Sequence, residues 1–371
     1  MPGPAVEENM KITGLETFLL KIPFSGAAEA EIAAGAADAM NVLLLRVDTE
    51  NGPSGWGEAF GHGISPATRT ALETLIRPML VGRDAGDITG IFRDLQQATH
   101  VFGRAGAARY AVSGVDIALW DIAGKVAGLP LHRLLGGPAR TEVEAYASLL
   151  RYGEAEKLTR ICKAALAEGY RAIKLHEIKP DLMLAARAAV GPDVALMVDC
   201  NCPWSVEQAA EVAHKVAPAA LRWLEEPVWP PEDHRGLARV RAAGAKIAAG
   251  ENVASLHVFR EFFLAGALDV AQPSVAKIGL TETLDVLALA RAHDVTLAPH
   301  CAYFGAGYLA ALHLVAAMPE RPLFERMYLD LEASPFSPFT EARGPMVALP
   351  QKPGLGCDPD PAVMARYRIG D

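Results

Sequence analysis

Seven apolar runs, each closed by a polar side chain at nearly constant spacing, constrain the fold of this chain more than any other feature. The closing residues are Lys174, Asp199, Glu225, Glu251, Ser274, His300 and Glu325, and the successive intervals, by subtraction, are 25, 26, 26, 23, 26 and 25 residues. A strand, a helix and two short loops consume roughly that many residues. Equal intervals therefore predict a ring of equivalent βα units, an α/β barrel of the TIM type, in preference to an open sheet with unequal crossovers. In such a barrel the carboxyl ends of the strands carry the chemistry, so all seven polar residues are expected around one mouth.

Upstream of Arg140 the pattern differs. Lys11 to Ile22, Met40 to Asp48 and Gly55-Trp56-Gly57-Glu58 read as strands, the last two joined by the turn Asn51-Gly52-Pro53. Helical spacing follows over 66–80, 88–98 and 107–127, and Gly128-Leu129-Pro130 stops it. This gives an α+β domain over residues 1–130 and a barrel over 131–344. The Pro- and Gly-rich segment 345–371 is expected to leave the barrel and pack back on the first domain.

At 371 residues, 51% hydrophobic and 21% charged, the chain has enough apolar material for two packed units. A net charge of -9 argues against nucleic acid or an anionic membrane as partner, because both reward an excess of Lys and Arg. The start of the chain has no cationic segment followed by an apolar core, and no run stays apolar for the roughly 20 residues a bilayer needs. A cytoplasmic location is expected. Cys162, Cys200, Cys202, Cys301 and Cys357 are odd in number and scattered, which reads as reduced thiols.

Asp199, Glu225 and Glu251 close three consecutive runs. Converging on one mouth, three carboxylates repel one another unless a cation lies between them. An all-oxygen ligand set favours Mg²⁺, with Mn²⁺ as the alternative, over zinc or copper. Asn201, two residues past Asp199, points the same way if the chain stays extended, as an outer partner of the metal site. Lys174 and His176 share a strand face by the period of two and are both candidate bases. A desolvated lysine near a cation is expected to have a lowered pKa, whereas His176 titrates near neutrality unaided. His300 faces them across the ring, and Glu325 is expected to bond a substrate carboxylate as a protonated acid.

The motifs resemble those of the enolase superfamily, in its mandelate racemase-like branch. They are Gly55-Trp56-Gly57-Glu58, Ser113-Gly114-Val115-Asp116-Ile117-Ala118-Leu119-Trp120-Asp121, Leu134-Leu135-Gly136-Gly137, Lys174-x-His176, Asp199-x-Asn201, Glu225-Glu226-Pro227, Gly250-Glu251-Asn252, Gln272-Pro273-Ser274 and Pro299-His300. The resemblance implies a capping domain over a modified TIM barrel, Mg²⁺ on Asp199, Glu225 and Glu251, and an enediolate formed by loss of a proton alpha to a carboxylate. Two positions depart from it. His176 stands where a second lysine is usual, and Ser274 where an aspartate usually pairs with the histidine.

The expected reaction is dehydration of a sugar acid or hydroxy acid to a 2-keto acid, with racemisation or epimerisation as the alternative and carboxylate binding without turnover as a third reading. In this architecture the first domain supplies lid loops. Phe24 to Met40 carries Ser25, Glu29, Glu31 and Asp38 but no basic residue, which disfavours a second substrate carboxylate there. The loop Phe60-Gly61-His62-Gly63-Ile64 offers His62 as a polar contact. A small carboxylate is thus the expected substrate, and the fused cap and barrel suit a homo-oligomer.

Overall fold

The fold is seen in a computed structural model that describes residues 10–25, 38–341 and 344–370. Glu29 and Glu31 of the first lid segment lie outside the described residues. Three antiparallel strands open the chain: β1 (Ile12–Pro23), β2 (Ala39–Thr49) and β3 (Gly55–Ala59), in the order β1-β2-β3. Helix Ala107–Ala127 covers β3 so closely that a Cβ added at Gly57 would come 2.0 Å from the Gly114 carbonyl oxygen. Only glycine permits that approach. On the barrel side, Glu58 accepts a hydrogen bond from the Gly307 N–H at 2.7 Å, which ties β3 to the start of helix Ala306–Ala317.

Eight parallel strands follow: β4 (Glu142–Ser148), β5 (Ala172–Leu175), β6 (Ala195–Asp199), β7 (Trp223–Glu225), β8 (Ile247–Ala249), β9 (Val270–Ala271), β10 (Thr296–Leu297) and β11 (Phe324–Met327). Each pairs with the next in sequence from β4 to β10, and β11 returns to pair with β4. Among the described residues no ladder joins β10 to β11. The seam is crossed instead by a bond from the Cys301 N–H to Glu325 Oε2 at 2.8 Å. A short strand, β12 (Met346–Ala348), pairs antiparallel with Glu142–Glu144 of β4, just before β11 joins that strand at Ala145.

Side-chain alternation sorts the barrel interior into layers. Tyr146, Ala172, Met197, Trp223, Ala248, Val270 and Ala298 form one apolar cluster inside the ring. Two residues further along each strand come Ser148, Lys174, Asp199, Glu225, Gln272 and His300, so the layer above the apolar plug is polar. The end of the chain packs on the opening sheet: after helix Pro361–Tyr367, the Ile369 N–H donates to the Leu19 carbonyl at 2.8 Å and Arg69 donates to the Gly370 carbonyl at 2.7 Å. No helix among the described residues is long and apolar enough to cross a membrane.

Candidate active site

Asp199 and Glu225 end β6 and β7, and Glu251 lies two residues beyond β8. One oxygen from each lies within 4.8 Å of the other two. Asp199 and Glu225 are almost fully buried. Burial first, and then the Asp199 charge, push the Glu225 carboxyl well above its ordinary range, although Lys174 opposes the shift. Burial also acts against the charged forms of the other two, but Lys174 and His176 hold Asp199 down to about 2, and His300 and Lys277 hold Glu251 well below the usual carboxylate range. Three hard oxygen donors converging on one point fit a divalent ion of the Mg²⁺ type.

Lys174 sits at the base of this cluster with no exposed surface. Its Nζ lies 2.7 Å from Glu325 Oε1, 3.0 Å from Glu225 Oε1 and 3.4 Å from Asp199 Oδ2. Burial alone would lower its pKa, but Glu225 and Glu325 outweigh burial and hold the ammonium well above the usual lysine range. This reverses the expected lowering: the carboxylates reach Lys174 more closely than the sequence pattern could show. Glu325 is corrected with it. Burial favours its protonated form, yet Lys174 and then His300 outweigh that and lower its pKa, so Glu325 is a carboxylate and not a neutral acid.

His176 and His300 each turn Nε2 toward one of the three carboxylates and Nδ1 toward a backing group. His176 Nδ1 donates a very short hydrogen bond to the Leu149 carbonyl, and Nε2 lies 3.3 Å from Asp199 Oδ2. His300 Nδ1 faces two hydroxyls, Ser274 Oγ at 3.3 Å and Tyr303 Oη at 3.4 Å, while Nε2 lies 2.8 Å from Glu251 Oε2. Ser274 and His300 lie three residues past the ends of β9 and β10 and form a parallel bridge to each other.

Asn201 does not lie on an extended chain. Its φ is +53°, and the chain turns there so that its N–H donates to Asp199 Oδ1 at 3.0 Å while Oδ1 accepts from Arg151 at 3.3 Å. It steadies Asp199 through the backbone. His62, also left-handed with φ +40°, follows β3 and packs against Phe60 with the rings tilted by 33°, 4.7 Å between centroids. Burial first, then Lys277 and His300, lower its pKa to about 4, so its ring is neutral.

These groups surround a cavity of about 350 Å³. His62, His176, Asn201, Glu251, His300 and Glu325 line it, whereas Lys174 does not. Two further cations on its wall were not singled out from the sequence. Lys277 Nζ is 3.1 Å from Asn252 Oδ1, 3.6 Å from Glu251 Oε1 and 4.6 Å from the centre of the Phe60 ring. Arg151 Nε donates to the His176 carbonyl at 2.7 Å. The strand-end spacing held the signal for Arg151: one interval of 25 back from Lys174 falls at 149, two residues short of it. Glu226 follows Glu225 at the end of β7. It is buried with φ +41°, accepts from Asn252 Nδ2 at 3.0 Å, and burial followed by Glu251 and Asp199 raises its pKa to about 8. All five cysteines are unpaired.

Two family models match the chain. Residues 17–136 match the mandelate racemase/muconate lactonizing enzyme N-terminal domain, and residues 157–363 match the enolase C-terminal domain-like family. The chain belongs to the enolase superfamily, in its mandelate racemase/muconate lactonizing enzyme branch. Within that superfamily it is 34% identical over 347 residues to the 3,6-anhydro-alpha-L-galactonate cycloisomerase of Streptomyces coelicolor, covering 91% of this chain and 94% of that protein. It is 31% identical to the D-galactarolactone cycloisomerase of Agrobacterium fabrum, covering 98% and 100%, and 30% identical to the arabinonate dehydratase of Saccharolobus solfataricus, covering 89% and 91%. A solved racemase from Streptomyces coelicolor with bound magnesium superposes with a TM-score of 0.82 at 30% identity, covering 96% of this chain and 100% of that one. The protein is therefore an enolase-superfamily enzyme with a modified TIM barrel. Its Mg²⁺-dependent chemistry is removal of a proton alpha to a carboxylate of a small molecule, and Asp199, Glu225 and Glu251 could hold that metal.

Proposed function

We propose that this enzyme catalyses β-elimination from a sugar acid, giving a 2-keto acid. His176 takes the alpha proton, Asp199, Glu225 and Glu251 hold Mg²⁺, and His300 faces the substrate from the opposite wall. The observation that carries this reading is the His176 hydrogen bond. A carbonyl only accepts, so Nδ1 carries the hydrogen, and Nε2, 3.3 Å from Asp199 Oδ2, is the nitrogen turned toward the three carboxylates and the one placed to exchange a proton.

Bound at the three carboxylates, Mg²⁺ would neutralise the substrate carboxylate and the charge that develops on it as the proton leaves. Lys174 is the fixed cation beneath the ligands, which rules it out as the base in this reading. The electrons of the Cα–H bond form the Cα=Cβ bond, and the Cβ–O bond breaks. The departing oxygen takes its proton from His300 on the opposite wall; His176 then gives its proton to solvent and His300 regains one, so protons balance. The resulting enol tautomerises to the 2-keto acid.

One elimination serves two outcomes. When the β oxygen is a free hydroxyl, water is lost and the reaction is a dehydration. When that oxygen is tied into a ring, the ring opens and no atom leaves, so the reaction is an isomerisation. A 3,6-anhydro acid carries its ether oxygen on C3, the carbon β to the carboxylate. The cycloisomerase and dehydratase relatives therefore fit one mechanism. In the same reading, residues 1–130 with 345–371 form the cap and 131–344 the barrel, and the enzyme works in the cytoplasm on a small carboxylate.

The test is a panel of 3,6-anhydro-galactonate, galactarolactone, arabinonate and gluconate incubated with the Mg²⁺-loaded enzyme and semicarbazide. A trapped 2-keto acid from at least one supports the reading. Clean stereoinversion without a keto product would replace it with racemisation.

A further inference from the structure

We propose that Glu177, outside the cavity, is a positioning residue for His176, acting through the chain segment 149–153 and together with Arg151. Backbone pairing stops short of the imidazole. The ladder of β5 with β4 ends at Ser148 and Lys174, and its ladder with β6 ends at Leu175 and Val198. His176 lies beyond both, so its placement falls to other bonds. The ring bonds through Nδ1 to the Leu149 carbonyl, and the His176 carbonyl accepts from Arg151 Nε at 2.7 Å. Both bonds run to the tail that follows β4. The ring is therefore only as well placed as that tail.

Glu177 grips this tail. Its Oε1 accepts from the Tyr152 N–H at 2.8 Å and from the Gly153 N–H at 3.2 Å, and the residue is 1% exposed. Gly153 takes φ +73°, a conformation open to glycine, and two successive N–H groups converge on one oxygen. A buried carboxylate is costly unless hydrogen bonds replace those to water, and the tail provides them. Arg151 fastens the same tail from the cavity side: its Nη2 donates to Asn201 Oδ1 at 3.3 Å, and the Asn201 N–H donates to Asp199. Arg151 lines the cavity, whereas Glu177 does not. Glu177 thus touches no substrate and affects the reaction only through the residues it holds. The inference rests on the elimination reading, in which His176 is the base, and names what keeps that base in line with the alpha C–H bond.

Two substitutions in the full-length, Mg²⁺-loaded enzyme separate reach from charge. Glu177→Asp keeps the charge but withdraws the oxygens by one methylene; Glu177→Gln loses the charge but keeps an oxygen at full reach. With the panel acid that turns over, Glu177→Asp should lower kcat by at least about 10-fold with KM within about 2-fold, because a misplacement of roughly 1 Å can cost about 100-fold. Glu177→Gln should rescue kcat to within about 3-fold of the parent. A parent-like kcat in Glu177→Asp, a loss carried by KM, or an equal loss in both variants overturns the inference. If Glu177→Asp does not fold, Arg151→Leu cuts the other arm, and a kcat there equal to the parent's overturns it as well. A crystal structure of Glu177→Asp without substrate distinguishes this inference from the elimination reading. The His176 ring should have left the Leu149 carbonyl, and a ring still bonded there contradicts the role of Glu177. Parent-like rates in His176→Gln would instead remove the base and leave the placement of its ring to be judged from that structure.

Discussion

The Lys174 ammonium lies 3.0 Å from Glu225 Oε1, and solvent reaches neither group. Breaking a buried ion pair by removing one partner typically costs about 3–5 kcal/mol, because the remaining charge is left uncompensated. Lys174→Met should therefore lose about 3 kcal/mol or more in urea unfolding of the Mg²⁺-free protein. Added Mg²⁺ should recover part of the loss, since a ligand that binds only the folded chain stabilises it. Unfolding with the parent midpoint would contradict Lys174 as the structural counter-ion.

Glu251 is the ligand nearest the His300 wall, so its loss separates metal binding from folding. Glu251→Gln should weaken Mg²⁺ binding in titration calorimetry by more than the roughly 10–100-fold that loss of an outer partner of a metal site costs. Affinity equal to the parent would remove Glu251 from the ligand set.

Burial raises the Glu58 pKa from 4.5 to about 7, although the Gly307 N–H and neighbouring amides oppose the shift. Between those two values the folded chain holds a proton that the unfolded chain has lost. The contribution to stability therefore falls as pH rises from about 4.5 to about 7 and is level on either side, a total of roughly 3 kcal/mol. Asp116, raised to about 6 by burial despite bonds from Thr281, acts in the same direction. Glu58→Gln should make the fall in unfolding free energy across this window shallower without abolishing it. A slope unchanged by the substitution would contradict the assignment.

Gly57 is where β3 and helix Ala107–Ala127 touch, with 2.0 Å between an added Cβ and the Gly114 carbonyl oxygen. Backbone on the far side cannot move as a side chain can. Gly57→Ala should destabilise by about 1–3 kcal/mol, read as a lower urea midpoint at unchanged slope. A midpoint equal to that of the parent would mean that the first sheet does not pack as described.

Much of this was legible in the sequence because strand periodicity and helix length leave a spacing that survives without side-chain detail. The even intervals from Lys174 to Glu325 placed the ring and the polar mouth, and the hairpin and glycine stops placed β1 to β3 to within a residue or two. What spacing could not convey was depth and turn geometry. Lys174 and Glu325 lie within their strands and not at the strand ends, with Lys174 beneath the cavity and Glu325 on its wall, which is why they pair with each other and why both expected protonation shifts were reversed. Asn201 and Glu226 take left-handed backbone conformations that alternation along an extended strand does not anticipate. Lys277 reaches the cavity from the short helix Val275–Ile278 after β9, a position that no strand-end rule marks.

The most direct test of the central claim is alpha-deuterium exchange, followed by NMR for a sugar acid in D₂O with the Mg²⁺-loaded enzyme. The account predicts exchange on one face of the alpha carbon together with a 2-keto acid. Both should fall by at least about 100-fold in His176→Gln, the lower bound expected for loss of a general base. Full exchange rates in His176→Gln, or exchange on both faces in the parent enzyme, would contradict it.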